Sequence, residues 1–226
     1  MLIIGHRGAP SLEPENTIRS FKKAQELGVD MVEMDLRQSA DGEIVISHDA
    51  SLQRLFGIDK EISELSLASL KEMTIDRGRE MATLAEALAQ INLPVNLHIK
   101  VHGLEEKLIS QVQGFPHKVL ISSTFPGVLE KIKTLDGKAD LGLIIGRGEL
   151  RLLPIIRRLT VDLDLFSIHP KSILVSLISM PILKKLGKKI FVWTVNDPKI
   201  FALMARLKVD GIFTDCPQLF VNKKYD

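Results

Sequence analysis

The stretch that decides the fold opens with Leu2-Ile-Ile-Gly-His-Arg-Gly8, continues through helically spaced residues from Thr17 to Leu27, and closes with Met31-Val-Glu-Met-Asp-Leu36. The two outer runs are short and apolar, as strands are, and the segment between them has the period of a helix. Strand, helix, strand is the unit of a parallel sheet with right-handed crossovers. Outward from this unit the alternation recurs. Strand-like runs follow at Val95–Lys100, Lys118–Ser122, Ala139–Ile145, Asp164–Ile168, Lys189–Val195 and Gly211–Thr214. Helical spacing appears at Leu84–Ile91, Leu104–Val112, Val128–Leu135, Leu150–Leu159, Ile173–Leu186 and Pro198–Leu207. Eight strand–helix units predict a closed (β/α)8 TIM barrel, and a doubly wound sheet of fewer strands is the alternative. At 226 residues the chain is short for that fold, so its loops must be lean. No linker or internal repeat divides it, and residues 1–226 are expected to form a single domain.

One region breaks the rhythm. Asp41-Gly42 lies between two strand-like runs, the second being Glu-Ile-Val-Ile-Ser-His at 43–48. That pattern predicts a β-hairpin. With a two-residue turn, Gln38 pairs Val45 and Leu36 pairs Ser47, which sets His48 opposite Asp35. A small insertion after strand two, about residues 49–80, follows.

Composition excludes several classes. Hydrophobic residues at 45% and charged residues at 26% are ordinary globular usage, so a disordered or fibrous chain is ruled out. A net charge of +2 supplies no field to hold nucleic acid or an anionic membrane. A single cysteine, Cys216, excludes a disulfide framework and a thiolate zinc site. No signal peptide and no apolar stretch of membrane-spanning length is read, so a cytoplasmic location without a stable membrane anchor is expected. The nearest approach is Ser172–Leu183, too short to span and interrupted by Pro181. It is read first as a buried helix or a subunit contact, so an oligomer stays open, and second as a lipid contact.

In a barrel, chemistry collects at the carboxyl ends of the strands. Glu33 and Asp35 stand two apart and so share one strand face. Two carboxylates there repel and lose hydration, and a divalent cation with oxygen ligands relieves both. The alternative is neutralisation by lysine and arginine. His98 and Lys100 likewise share a face. Arg7 and Lys100 could clamp a phosphate or merely neutralise the acids. Two imidazoles titrating near neutrality can act as acid and base in one reaction, and metal-assisted cleavage of a phosphate ester fits the set. His169, at the end of the 164–168 run, and Trp193 are candidate pocket residues. Glu15 and Asn16 are read as holding the first loop and capping the helix that starts at Thr17. Gly146-Arg147-Gly148 is read as a turn, and Cys216 as a small buried filler.

His6-Arg7-Gly8, Pro14-Glu-Asn-Thr17, Glu33-Met-Asp35, Asp41-Gly42 and His48-Asp49 follow one another in the order and spacing of the glycerophosphodiester phosphodiesterase family, which the chain resembles over nearly its whole length. Later pieces agree: Thr83-Leu-Ala-Glu-Ala-Leu88, Ser123-Thr-Phe125, Val192-Trp-Thr-Val-Asn196 and Gly211-Ile-Phe-Thr-Asp-Cys-Pro217. The resemblance implies a (β/α)8 barrel and a hydrolase that cleaves glycerophosphodiesters to glycerol 3-phosphate and an alcohol, in lipid and glycerol metabolism. It implies His6 and His48 as the acid–base pair, Glu33 and Asp35 as metal ligands, and Arg7 and Lys100 as phosphate contacts. The glycerol 2-hydroxyl would attack phosphorus and water would open the resulting cyclic phosphate. In the family pattern His6 takes the nucleophile's proton and His48 protonates the leaving group, an order the residues alone do not fix. One divalent ion is implied, Mg²⁺ or Ca²⁺ by the family. His98 stands where the family has a third acid. It either ligates in place of that acid, favouring Mn²⁺, Co²⁺ or Zn²⁺, or leaves the position to water. A lysophospholipid-type or phosphoinositol-type phosphodiesterase, and a non-catalytic binder of glycerol phosphate or diesters, are the competing readings. The insertion also lacks the Arg-Thr that usually follows His-Asp in the family; Arg54-Leu55 stands there.

Overall fold

The computed structural model describes residues 1–75, 79–146 and 153–221. Nine strands form among the described residues: β1 (Leu2–Gly5), β2 (Met31–Gln38), β3 (Ile44–Ile46), β4 (Val95–Ile99), β5 (Val119–Ser123), β6 (Asp140–Ile145), β7 (Ser167–Pro170), β8 (Lys189–Val192) and β9 (Gly211–Thr214). Their order is β1-β9-β8-β7-β6-β5-β4-β2-β3, and a further pairing of β1 with β2 closes the ring. Eight parallel strands thus make a barrel, with helices on the crossovers, as the alternation predicts. β3 stays outside the ring, antiparallel to the end of β2.

Three apolar clusters hold the chain. The largest lies between the barrel and its helices and includes Val32, Met34, Leu97, Phe21, Leu129 and Phe201. A small plug of Ile4, Met31, Leu120, Phe191 and Phe213 fills the lumen. The insertion has its own core of Val45, Leu52, Phe56, Ile62, Leu70 and Met81. Short helices at Gln53–Phe56 and Leu67–Thr74 build it.

The ladder registers place the site. Glu33 pairs Asn96, Asp35 pairs His98, His98 pairs Ser122, Ser122 pairs Gly142, and Ile144 pairs His169. Side chains alternate along a strand, so these residues all face the lumen with Ile4, Phe191 and Phe213. The lumen is therefore apolar at its base and polar toward the carboxyl ends.

Four expectations change. The hairpin register is shifted by one, with Leu36 opposite Ile46 and Gln38 opposite Ile44. The turn has three residues, because the Ser39 hydroxyl bonds both Asp41 and the Glu43 N–H and accommodates one more residue. Gly42 alone takes the left-handed conformation, at φ 79°. Asp35 consequently faces Ser47, whose N–H donates to the Asp35 carbonyl. Second, the 164–168 run forms its strand later, at Ser167–Pro170, because Asp164 turns at φ 44° at the end of the preceding helix. Third, Ile173–Leu186 is not one buried helix. Ser179 Oγ bonds back to the Leu174 carbonyl, and only Met180–Lys184 is α-helical. Ile178 is left 85% exposed. Fourth, Cys216 is half-buried rather than a buried filler. Arg147, Gly148 and Leu150, which the turn and helix readings include, lie outside the described residues. Among the described residues no helix is long and apolar enough to cross a membrane.

The loop after β1 is the tightest joint. Gly8 sits at φ 93°, and a Cβ there would lie 2.3 Å from Ser20 Oγ. That hydroxyl donates to the Arg7 carbonyl and accepts from the Ala9 N–H, pinning the loop to the first helix, Ile18–Leu27. Gly8→Ala should lower stability in urea denaturation by about 1–3 kcal/mol for the strained backbone alone. Gly28→Ala, also at positive φ but with nothing within 4 Å, should cost less. Equal losses would mean that the Ser20 contact contributes nothing.

Candidate active site

The polar side chains of the lumen converge at the carboxyl ends of the strands. His6, Arg7, Glu33, His48, Asn96, His98, Lys100, His169 and Trp193 line one cavity there, which gathers the candidate acid–base, phosphate, metal and pocket residues other than Asp35. Asp35 lies behind this wall, 0% exposed.

Asp35 is the most heavily contacted of them. Its carboxylate accepts from Asn16 Nδ2 at 2.9 Å, and its N–H donates to Asn16 Oδ1 at 3.3 Å. Lys100 Nζ and His98 Nδ1 each lie 3.1 Å from Oδ1, and Arg7 Nε lies 3.1 Å from Oδ2. Burial alone would raise its pKa. The neighbouring His98, Lys100 and Arg7 outweigh burial and hold the carboxyl well below the usual range. Glu33 accepts the Arg7 main-chain N–H at 2.8 Å, and His98 Nδ1 is 3.6 Å from its other oxygen. Arg7 also pairs with Glu15 at 3.0 Å.

Asn16 therefore holds an acid rather than a helix end. The cap is Thr17, which accepts from the Ser20 N–H, and the helix begins at Ile18. Glu15 does hold the first loop, through Arg7 and through Arg54 of the insertion.

Glu33, Asp35 and His98 each offer a ligand atom, all within 4.8 Å of one another. His98 Nδ1 faces both acids, 3.1 Å from Asp35 Oδ1 and 3.6 Å from Glu33 Oε1. Two buried carboxylates and an imidazole nitrogen converging in this way fit a divalent cation.

His6 and His48 are each backed by an acid. His6 Nδ1 lies 2.6 Å from Asp215 Oδ1, and Asp215 is held in turn by Asn196 Nδ2 at 2.6 Å. His48 Nδ1 lies 2.7 Å from Asp49 Oδ1, and Asp49 pairs with Arg54. A carboxylate can only accept, so Nδ1 carries hydrogen in both rings and Nε2 is the nitrogen left free for chemistry. His48 reaches the mouth because the chain leaves the ladder after Ile46. Arg37 Nε and Nη2 hold its carbonyl at 2.9 and 2.8 Å. The two rings titrate apart. Burial lowers His6, but the Asp215 hydrogen bond and the charge of Glu33 override it and leave the pKa raised. Burial prevails at His48, whose pKa is lowered.

Asp215, Asn196, Asn16 and Arg37 received no such roles from the sequence. Asp215 and Asn196 stand in the quoted late motifs, and a closed barrel sets the last strand beside the first, but spacing does not say which side chains meet there. Barrel closure supplies that contact.

The model of the glycerophosphoryl diester phosphodiesterase family matches residues 6–113 and 104–219. A glycerophosphodiester phosphodiesterase of Caldanaerobacter subterraneus subsp. tengcongensis is 31% identical over 240 residues, covering 98% of this chain and 96% of that one. The crystal structure of a glycerophosphodiester phosphodiesterase from Thermotoga maritima superposes with a TM-score of 0.88 at 30% identity, covering 98% of this chain and 97% of that one. A phosphodiesterase of Oleispira antarctica, solved with its product sn-glycerol-3-phosphate, gives a TM-score of 0.87 at 26% identity, covering 97% and 94%.

The His6–Asp215 contact has a direct test. Asp215→Asn removes the charge and leaves only a neutral acceptor on the imidazole, so the pKa should fall. NMR titration of the His6 ring in EDTA-treated protein would show the midpoint moving to lower pH. An unmoved midpoint would mean that Asp215 does not set the protonation of His6.

Proposed function

The chain belongs to the glycerophosphoryl diester phosphodiesterase family, and on that premise we propose how its residues divide the work. It is a phosphoric diester hydrolase that cleaves glycerophosphodiesters to glycerol 3-phosphate and an alcohol. We take residues 1–226 to act as one catalytic domain, and one divalent ion to be held by Glu33, Asp35 and His98. The observation that supports this most is the pairing of two acid-backed histidines with a buried acid–imidazole cluster on a single cavity. A protein that only bound diesters would have no use for two imidazoles each presenting Nε2.

Arg7 and Lys100 contact Asp35 in the ligand-free protein and are the cations nearest the cavity, suited to the phosphoryl oxygens. Arg7 Nε is held 3.1 Å from Asp35 Oδ2 in a buried ion pair, so the guanidinium is already desolvated beside the cavity. The bound divalent ion supplies electrostatic stabilisation of charge on the phosphoryl oxygens. One histidine takes the proton of the glycerol 2-hydroxyl as that oxygen bonds to phosphorus. The other gives a proton to the departing alcohol oxygen as its bond to phosphorus breaks. The cyclic phosphate is then opened by water with the two roles exchanged. The resemblance gives His6 the proton of the nucleophile and His48 the protonation of the leaving alcohol; in the ion-free protein the two rings shift in opposite directions, His6 up and His48 down.

Glycerophosphocholine and glycerophosphoethanolamine, followed by ³¹P NMR across several divalent ions, should yield glycerol 3-phosphate. Choline phosphate as product, or no turnover with any ion, would contradict the reading. His6→Ala and His48→Ala should each lose about 10²–10⁴-fold in kcat on these alkyl diesters. An activated aryl diester needs little protonation of its leaving group, so it should rescue the variant that lost the acid. Rescue is expected for His48→Ala and not for His6→Ala, and the opposite pattern would exchange the roles.

His98 sets the character of the metal site. A neutral imidazole in place of an acid lowers the formal charge of the ligand set from three negatives to two. Hard ions should lose affinity relative to Mn²⁺, Co²⁺ or Zn²⁺. His98→Glu should move the affinity ranking, read by calorimetry without substrate, back toward Mg²⁺ and Ca²⁺. An unchanged ranking would remove His98 from the ligand set.

A further inference from the structure

We propose that Asn96 and His169 form a hydroxyl-binding floor that reads the glycerol hydroxyl farthest from phosphorus. This rests on the glycerophosphodiesterase reading above and names residues that fix its specificity. Both side chains are 1% exposed, yet Asn96 Oδ1 and His169 Nδ1 have no hydrogen-bond partner. Buried polar atoms in folded proteins are paired in the great majority of cases, so two orphans bordering one functional cavity mark a place for a ligand's polar group.

Both side chains are fixed. Asn96 Nδ2 donates to Ser122 Oγ at 3.0 Å, which leaves Oδ1 as the free acceptor. His169 Nε2 lies 2.8 Å from Ser167 Oγ, which leaves Nδ1 as the free nitrogen. The His169 carbonyl accepts from Trp193 Nε1 at 2.7 Å, so the residue is tied at backbone and ring. The ring stands between Phe213 and Phe191, with centroids 5.1 and 5.5 Å away. Those aromatics offer its free nitrogen nothing. Gly142 makes the room, because a Cβ there would come within 2.7 Å of the imidazole. A phenylalanine would suit these neighbours without leaving a buried nitrogen unpaired. Burial, with the charge of His98 adding to it, pushes His169 down to about 3, so the ring is neutral and offers one N–H.

Depth decides which substrate group arrives here. Asn96 precedes His98 by two residues on β4 and lies nearer the closed end of the lumen. His169 rests on two aromatics of the lumen plug. Asp35, His98 and Lys100 stand farther toward the carboxyl ends than the Glu33–Asn96 pair, and the phosphate belongs with those cations. An enzyme that accepts varied alcohols must leave them at the open mouth and hold the constant glycerol at the closed end. A terminal hydroxyl can donate to Asn96 Oδ1 and accept from His169 Nδ1–H at once, and so satisfies both orphans.

The test compares glycerophosphocholine with its analogue built on propane-1,2-diol, which keeps the 2-hydroxyl and lacks only the terminal one. The ion-loaded wild type should prefer glycerophosphocholine by about 10²-fold or more in kcat/KM, as sites built around a hydroxyl do. In His169→Phe and Asn96→Leu the preference should fall at least tenfold, with the loss confined to the hydroxylated substrate. A merely structural role would depress both substrates equally and leave the ratio intact, which would overturn the proposal. Calorimetric binding of glycerol 3-phosphate and of propane-1,2-diol 1-phosphate to the wild type decides the matter without turnover or variants. Equal affinities would refute the floor. If the wild type cleaved no glycerophosphodiester, the functional reading would fail, and the binding ratio would still judge the floor by itself.

Discussion

Glu33 and Asp35 are buried two residues apart on one face of β2, where like charges repel and lose their hydration together. Nothing apolar in the lumen can relieve them. The surrounding chain does so with directed donors: the Arg7 main-chain N–H to Glu33, Asn16 to Asp35, and Lys100, Arg7 and His98 against the same carboxylate. The loop after β1 is shaped by this demand. Arg7 and Asn16 both hold φ at 56°, and the Asn16 N–H closes onto the Arg7 carbonyl. Removing one donor would leave a buried charge under-compensated, the costly way to break such a cluster. Glu33, Asp35 and His98 still bring one ligand atom each within 4.8 Å of one another, and a cation there would bind all three.

Around that cluster the barrel separates tasks by depth and by electrostatic surroundings. The aromatic plug closes the lumen from below and excludes water from its base. Above it the polar layers follow from parity alone, since each strand contributes every second residue to the same face. The two acid-backed histidines sit at different depths, with side chains 15% exposed for His6 and 35% for His48. The same kind of partner, an aspartate on Nδ1, therefore gives opposite shifts. At His6 the acids prevail over burial; at His48 desolvation prevails, with Lys100 and Arg7 adding to it.

Much of this was legible in the sequence because parity is a local property. Glu33 with Asp35, and His98 with Lys100, could be set on one face from spacing alone, and eight strand–helix units gave the barrel. The hairpin register differs by one residue from the Asp-Gly pattern because it depends on Ser39 and Asp41 side chains bonding within the turn, which Asp-Gly alone does not reveal. His48 reaches the mouth by leaving the ladder, held by Arg37, and not by pairing with Asp35. The partners of Asp215 and Asn16 are not legible, because each contact joins loops at strand ends whose conformation no spacing rule specifies.

The central claim is that the buried acid pair exists to hold one divalent ion. Mn²⁺ titration followed by calorimetry and by the electron paramagnetic resonance of the free ion tests it without any substrate. The account predicts one ion per chain in the wild type and loss of that binding in Asp35→Asn, with the far-ultraviolet circular dichroism of the variant unchanged. Undiminished binding in Asp35→Asn, or no binding in the wild type, would contradict it.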